Sequence, residues 1–357
     1  MTSLAPLNQL LLNFSSELLS LELPLIIPTL FIFFESRYLF NVLIWELLFK
    51  ATWKFIFASF KNRTLSFWKD PSICLTKSLL TGPIRKFPLI PGIDFSGVVI
   101  QSNNKKFGEG DRVFATGLGL GELQHGGLSS HASTDADILI KLPNKYTHSY
   151  IMGLGTAGLT AMLAVLALHE NSIKPDAGKV LVTGSSGAVG GIATKLLLKL
   201  GYEVVAMTSR PEYNRDYLKS FGNIEVLDTD DFLGNPRMLS KERWASAIDV
   251  VGGKVLENII TETNRSGVIS VCGQVLGLNI VTNLAPFILR GVRLIGIDSA
   301  FCSHERRSRA WDMIFDLLDV KDVNYLSEII DIKDVYERSK LIVNGKNRRR
   351  IITNNSN

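Results

Sequence analysis

The chain has 357 residues, of which 46% are hydrophobic and 20% charged, and its formal net charge is +5. That length accommodates two domains with substantial cores, and a charge this modest, with no aromatics interleaved among the basic runs at 305–309 and 346–350, argues against a nucleic-acid-binding module. Three cysteines, Cys74, Cys272 and Cys302, form no C-x-x-C pair, and the five histidines show no ligand spacing, so neither a disulfide framework nor a structural zinc site is expected.

Leu, Phe and Ile dominate residues 1–62, from which glycine is absent. The apolar runs at 25–34 and 38–49 are interrupted by Pro28 and Glu46. Both fall short of the roughly 20 apolar residues that a membrane-spanning helix needs. No basic residue precedes them and no small-residue cleavage site follows, so a signal peptide is not expected either. This segment reads as core-forming, as unfolded, or as translated out of frame, with the true frame resuming near residues 67–85.

From residue 64 the composition becomes ordinary. A strand is predicted at 98–101, and a turn followed by a strand at 107–114. Residues 117–127 (GLGLGELQHGG) form a glycine-dense loop that brings backbone close to something. Short strands at 128–132 and 138–142 then close a small β-domain before Pro143. Residues 149–169 are helical in pattern with Gly155-Thr156-Ala157-Gly158 embedded, small residues that let backbone approach a ligand or a neighbouring helix.

Residues 179–210 organise the rest. The apolar run Val180-Leu181-Val182 breaks at Gly184, and Gly184, Gly187 and Gly190 are spaced G-x-x-G-x-x-G. Ile192, Leu196, Leu197 and Leu200 recur at helical spacing up to Gly201, and a second strand at 203–207 ends in Thr208-Ser209-Arg210. Strand, glycine turn, helix and strand make a βαβ dinucleotide-binding unit, in which backbone N–H groups at the helix N-terminus receive a pyrophosphate. An acid at the end of the second strand would favour NAD by accepting from a ribose 2′-hydroxyl. Ser209 and Arg210 stand there instead and suit a 2′-phosphate, which selects NADPH.

Further strands are predicted at 224–227, 248–251, 267–273 and 292–298, with a connecting helix at 241–247. Alternation at these lengths gives an α/β fold with a parallel, doubly wound sheet. Residues from 331, ending in Ile351-Ile352, are expected to return to the β-domain. The basic runs read as a solvated helix face and a basic tail, with contact to substrate phosphates as the sharper alternative.

Together these landmarks resemble the zinc-free quinone oxidoreductase branch of the medium-chain dehydrogenase/reductase superfamily, and within it the acrylyl-CoA reductase subgroup. The resemblance is carried by RKFPLIPGIDFSG (85–97), GDRV (110–113), GTAGLTAML (155–163), LVTGSSGAVG (181–190) and TSRPE (208–212). RWASAIDVVG (243–252), APFILRGVRLIGIDS (285–299) and ERRSRAW (305–311) continue it, so that it runs from about 83 to 352. It implies a Rossmann NADPH-binding domain over 151–299 and a GroES-like catalytic β-domain assembled from 63–150 and 300–357, with 1–62 left as an atypical segment.

Carried over residue by residue, it implies that Ser186, Gly187, Ala188 and Val189 cradle the pyrophosphate and that Thr208, Ser209 and Arg210 hold the 2′-phosphate. Thr156, Gln274, Ile288, Ser299 and Arg349 would line the rest of the cofactor. Trp68 takes the place of a tyrosine that contacts the nicotinamide end, and can donate a hydrogen bond but not act as a phenolic acid. Gln124-His125 stands where the subgroup has His-Trp, and Thr229 replaces a basic residue of the phosphate pocket. The implied activity is hydride transfer from NADPH to the β-carbon of an α,β-unsaturated thioester, without a metal, in the cytoplasm. The rival readings are a quinone or enone oxidoreductase on the same scaffold, a catalytically impaired NADPH-binding protein and, third, a membrane-tethered reductase. For an enoyl-CoA substrate, Arg306 and Arg307 would be phosphate partners or structural salt bridges. A small-molecule substrate is expected, nucleic acid and membrane are not, and relatives of this kind are commonly homodimers.

Overall fold

The computed structural model describes residues 88–354, so Trp68, Cys74 and the apolar segment 1–62 lie outside the described residues. Strands β1 (Asp94–Val98), β2 (Arg112–Thr116) and β3 (Ile140–Lys141) form an antiparallel sheet, with Asp94 opposite Thr116. The long helix α1 (His148–Glu170) follows, then β4 (Val180–Val182), α2 (Ala188–Lys199), β5 (Val204–Thr208), α3 (Pro211–Lys219) and β6 (Glu225–Asp228). Next come β7 (Trp244–Asp249), α4 (Gly253–Glu262), β8 (Thr263–Val271), α5 (Ala285–Arg290) and β9 (Arg293–Gly296). The chain ends with α6 (His304–Leu317), α7 (Val320–Leu326), β10 (Ser327–Asp331), α8 (Val335–Val343) and β11 (Arg350–Asn354).

Six of these strands pair in parallel in the order β6-β5-β4-β7-β8-β9. Residues of β4, β5 and β7 are buried throughout, as expected of parallel strands covered on both faces. Side-chain alternation sorts them into two cores. Val180, Val182, Val204 and Ala206 pack with α1, α2, α6 and α7 on one face. Leu181, Val205 and Met207 pack with Val255, Leu256, Ile259 and Ile260 of α4 on the other. The strand order reverses between β4 and β7, and the carboxyl ends of those strands flank the crevice where such sheets take ligands.

Helix α1 is apolar over its whole circumference and long enough to cross a membrane, yet 89% of its most apolar window is buried among the other elements. Phe114 of β2 meets Trp311 of α6 edge-on at 5.0 Å, which joins the small sheet to the helical layer. Tyr146 and Tyr150 stack at 4.3 Å and donate to the Phe315 and Leu318 carbonyls.

Several expectations need correction. The connecting helix at 241–247 does not form: Trp244 begins β7, and the helix comes after it as α4. Strand β1 ends at Val98, where the predicted strand begins, and no strand forms at 128–132. The glycine-dense loop instead folds onto the segment before β1, with the Gly126, Gly127 and Leu128 N–H groups donating to the Ile90, Gly92 and Pro91 carbonyls. Apart from these corrections, the returning chain pairs β10 with β11 in a two-stranded parallel sheet, and Arg350 of β11 reaches Asp94 of β1.

Candidate functional site

At the carboxyl end of β4 the chain turns through residues 183–187 into α2. The turn is set by its own polar groups: Ser185 Oγ donates to the Val182 carbonyl (2.6 Å), the Ser185 N–H to Met207 O (3.0 Å) and the Gly187 N–H to Gly184 O (2.9 Å). Gly187 is the N-cap of α2 and no side chain caps that helix, so its first-turn N–H groups and positive dipole end face outward. A Cβ on Gly190 would lie 2.4 Å from Gly184 O, so the helix starts closer to the turn than any other residue permits. Ser186, Gly187, Ala188 and Val189 therefore sit where a pyrophosphate would meet main-chain donors.

Behind the turn, Thr183 Oγ1 donates to Asp249 Oδ1 (2.8 Å) and accepts from the Val250 N–H (2.9 Å). The other Asp249 oxygen accepts from the Gly252 N–H at 2.8 Å, so one carboxyl ties the ends of β4 and β7 together. Burial raises the Asp249 pKa against the lowering effect of those hydrogen bonds. Burial and Asp249 also push the Cys272 thiol up to about 12, which leaves it inert as a nucleophile.

At the end of β5, Thr208 Oγ1 lies 3.2 Å from Ser186 Oγ and accepts from Asn214 Nδ2 (2.9 Å) and from the Arg210 N–H (3.4 Å). The Arg210 guanidinium donates to the Lys346 and Asn347 carbonyls, each at 3.3 Å. The Arg349 N–H donates to Ser186 O (3.1 Å), and its guanidinium lies over Tyr217 and Tyr325 at 5.2 and 5.1 Å. Burial raises the Tyr217 pKa, opposed by the nearby Arg349 and Arg348 charges. The structure thus joins Ser186, Thr208, Arg210 and Arg349 in one cluster, with Ser209 exposed at its rim.

Thr156 belongs to a second cluster. Gly155 takes φ 51° and ψ −151° inside α1 and kinks it, which frees the Thr156 N–H to donate to Asp94 Oδ1 at 3.0 Å. Thr156 Oγ1 donates to the same oxygen at 2.5 Å, and Asp94 Oδ2 pairs with Arg350. Thr160 Oγ1 lies 2.6 Å from Ser299 Oγ, so Ser299 shares this neighbourhood. Gln274, in the loop after β8, and Ile288, 72% exposed on α5, make no hydrogen bond or ring contact with either cluster.

The basic run on α6 is not one solvated face. Arg306 and Arg309 pair with Glu170 at 3.1 and 3.0 Å. Arg307 is buried and donates to Thr116 O, Thr116 Oγ1, Ser299 O and Ala300 O, a strut between β2 and the turn before α6. Its guanidinium is therefore turned into the protein. Among the described residues no group of three or more His, Cys, Asp or Glu side chains could hold a metal. Asp94, Arg350 and Asn214 escape sequence reasoning. Asp94 lies within a quoted motif, but only its contact with Arg350 reveals its role.

Comparison with known proteins fits this architecture. The family model described as alcohol dehydrogenase GroES-like domain matches residues 69–144, and that described as zinc-binding dehydrogenase matches 188–316. The chain is 41% identical over 263 residues to a probable acrylyl-CoA reductase, AcuI, of Escherichia coli, covering 74% of this chain and 81% of that protein. It is 44% identical over 230 residues to a putative quinone oxidoreductase, YhfP, of Bacillus subtilis, covering 64% and 69%. Among solved structures, E. coli K-12 YhdH with bound NADPH superposes with a TM-score of 0.76 at 39% identity, covering 81% of this chain and 88% of that one.

Proposed function

The chain belongs to the quinone oxidoreductase branch of the medium-chain dehydrogenase/reductase superfamily, and from that premise we propose that it reduces the carbon–carbon double bond of an acrylyl-CoA-type thioester with NADPH. It is an NADPH-dependent oxidoreductase. The observation that carries the cofactor assignment is the cluster at the end of β5, where Arg210 stands with Thr208 and Arg349 and no carboxylate forms an ion pair with either arginine among the described residues. An acid in that place would favour NAD; a guanidinium favours the additional phosphate.

The residues present fit such a group. The uncapped first turn of α2, with Ser186, Gly187, Ala188 and Val189, would hold the pyrophosphate, and Thr208, Ser209 and Arg210 the 2′-phosphate. When bound, NADPH supplies the hydride that reaches the β-carbon of the substrate. This chain's part is to orient and stabilise. The kink at Gly155 fixes the position of Thr156, and Ser299 is anchored beside it through Thr160. Gln274, Ile288 and Trp68 are carried as cofactor-side and nicotinamide-side positions by the resemblance alone. The β-domain assembled from both ends of the chain would complete the substrate side.

The 44% identity to a putative quinone oxidoreductase favours a second reading, in which a quinone or enone is reduced on the same scaffold. One assay separates the two. NADPH oxidation by the purified chain with acryloyl-CoA, run beside a quinone and a simple enone, should show its highest kcat/KM for the thioester. A preference for the quinone would select the second reading. Tight NADPH binding without turnover on any of the three would indicate an impaired catalytic domain.

A further inference from the structure

We propose that Arg348 is a second specificity-determining contact for the 2′-phosphate of NADPH, delivered by the C-terminal segment 346–349, which lies against the cofactor cluster. The proposal rests on the NADPH reading above and extends it to a residue that the β5 motif does not contain.

Three observations carry it. The Arg210 guanidinium lies 5.3 Å from the centre of the Tyr213 ring, and that of Arg348 lies 4.8 Å from the same ring and 5.0 Å from Tyr217. One exposed tyrosine therefore carries both guanidiniums, and Arg348 Nη1 is further tethered to the Tyr213 carbonyl at 3.4 Å. The segment itself is fastened at the site, since Arg210 donates to the carbonyls of Lys346 and Asn347 and the Arg349 N–H donates to Ser186 O. Third, none of Arg210, Arg348 and Arg349 forms an ion pair among the described residues, whereas Arg243, Arg306, Arg309 and Arg350 each pair with a carboxylate and Arg307 is buried as a strut.

Three neighbouring cations without a counter-charge repel one another, and ring stacking relieves only part of that cost. A phosphate monoester brings a charge of about −1.5 to −2 and three acceptor oxygens, which suits two guanidiniums better than one. The serine and threonine hydroxyls at the end of β5 supply neutral donors beside them. The ligand chemistry so defined is a ribose 2′-phosphate.

The test is calorimetric titration of the full chain with adenosine 2′,5′-bisphosphate and with 5′-AMP, for wild type, Arg348→Ala, Arg348→Gln and Arg210→Ala. Losing a charge-assisted contact should weaken adenosine 2′,5′-bisphosphate binding about tenfold or more in both Arg348 variants. Binding of 5′-AMP should stay within about twofold of wild type, and NADPH affinity should fall in parallel with that of the bisphosphate. The two Arg348 substitutions guard against a folding defect, since glutamine retains a stacking amide without the charge. Wild-type affinity for the bisphosphate in the glutamine variant, with loss in Arg210→Ala, would overturn the proposal and leave the NADPH reading standing. A wild-type chain that does not distinguish the bisphosphate from 5′-AMP would overturn both.

Discussion

Gly190 is the residue on which the cofactor turn depends most directly, because the Gly184 carbonyl oxygen occupies the space next to it. A methyl group there would have to push α2 away from β4 and with it the N–H groups offered to a pyrophosphate. Gly190→Ala should cost about 1–3 kcal/mol in stability through overpacking. It should weaken NADPH binding by more than that stability change alone would suggest, measured as Kd by fluorescence titration on the folded fraction. Asp94 makes a different kind of prediction. Its side chain is 3% exposed and joins Arg350 to the Thr156 N–H and hydroxyl. Asp94→Ala should destabilise the chain by roughly 3–5 kcal/mol, since it strands a half-buried guanidinium. Asp94→Asn, which still accepts from Thr156, should cost less, and chemical denaturation of both variants checks the order. Ser186, Thr208 and Arg210 are legible in the sequence because turn, helix start and strand end are close in the chain and their spacing is dictated by backbone geometry. The Asp94–Arg350 pair spans 256 positions, and nothing local in either residue announces the other.

At the scale of the element, α1 couples the small sheet to the parallel one, and its first residue is titratable. Ser96 Oγ donates to Val113 O (2.9 Å) and so accepts from His148 Nδ1 at 2.7 Å, which places the ring proton of neutral His148 on Nδ1. Burial, reinforced by the Arg112 charge, lowers the His148 pKa below its ordinary value of 6.5. An imidazolium at a helix N-terminus also opposes the macrodipole. Well above pH 6.5 the histidine is neutral folded and unfolded and stability does not depend on it. As pH falls from there towards the lowered folded pKa, the unfolded chain binds the proton first and stability declines. Thermal unfolding of wild type between pH 7.5 and 5.5 should therefore show a Tm loss that is smaller in His148→Gln; equal losses would remove His148 from the account. The same helix shows why some elements are readable and others are not. A long apolar run is legible as a helix, whereas its cap at Thr147 and the kink at Gly155, among small residues that read only as permitting close approach, emerge from the structure. Residues 241–247 mislead because a strand buried on both faces loses the alternation by which strands are recognised. Ala245 and Ala247, on either side of Ser246, then carry a helical propensity that the sheet overrides.

Among the described residues the six-stranded sheet ends in two edge strands, β6 and β9, and the β9 edge bears on assembly. β9 pairs with β8 on one side only, and Leu294 on it is 38% exposed. Beside it α5 exposes Ile288 and Leu289, and the approach to that helix exposes Leu284. A parallel sheet normally has its edges protected by charge, proline or a covering element, and a long apolar edge invites pairing with another chain. The charged residue here, Arg293, is turned onto Asn171 and the Ser266 carbonyl and so does not blunt the edge. A two-fold axis past β9 would set two such edges side by side and bury Leu284 and Leu289 of both copies, since an isologous contact needs only one self-complementary patch. A homodimer is accordingly the expected state. Sedimentation velocity at micromolar concentration should give a single species of twice the 39.5 kDa chain mass. Leu294→Glu should shift it to monomer while leaving NADPH affinity within about twofold, because the cofactor clusters lie at the carboxyl ends of β4 and β5 and share no contact with that side chain. A wild-type monomer would mean that this edge is covered in some other way. A dimer untouched by Leu294→Glu would move the interface elsewhere. The parallel sheet behind this argument was legible from the alternation of strands and helices, whereas its open edges were not, since only the pairing order shows which strands come last in space.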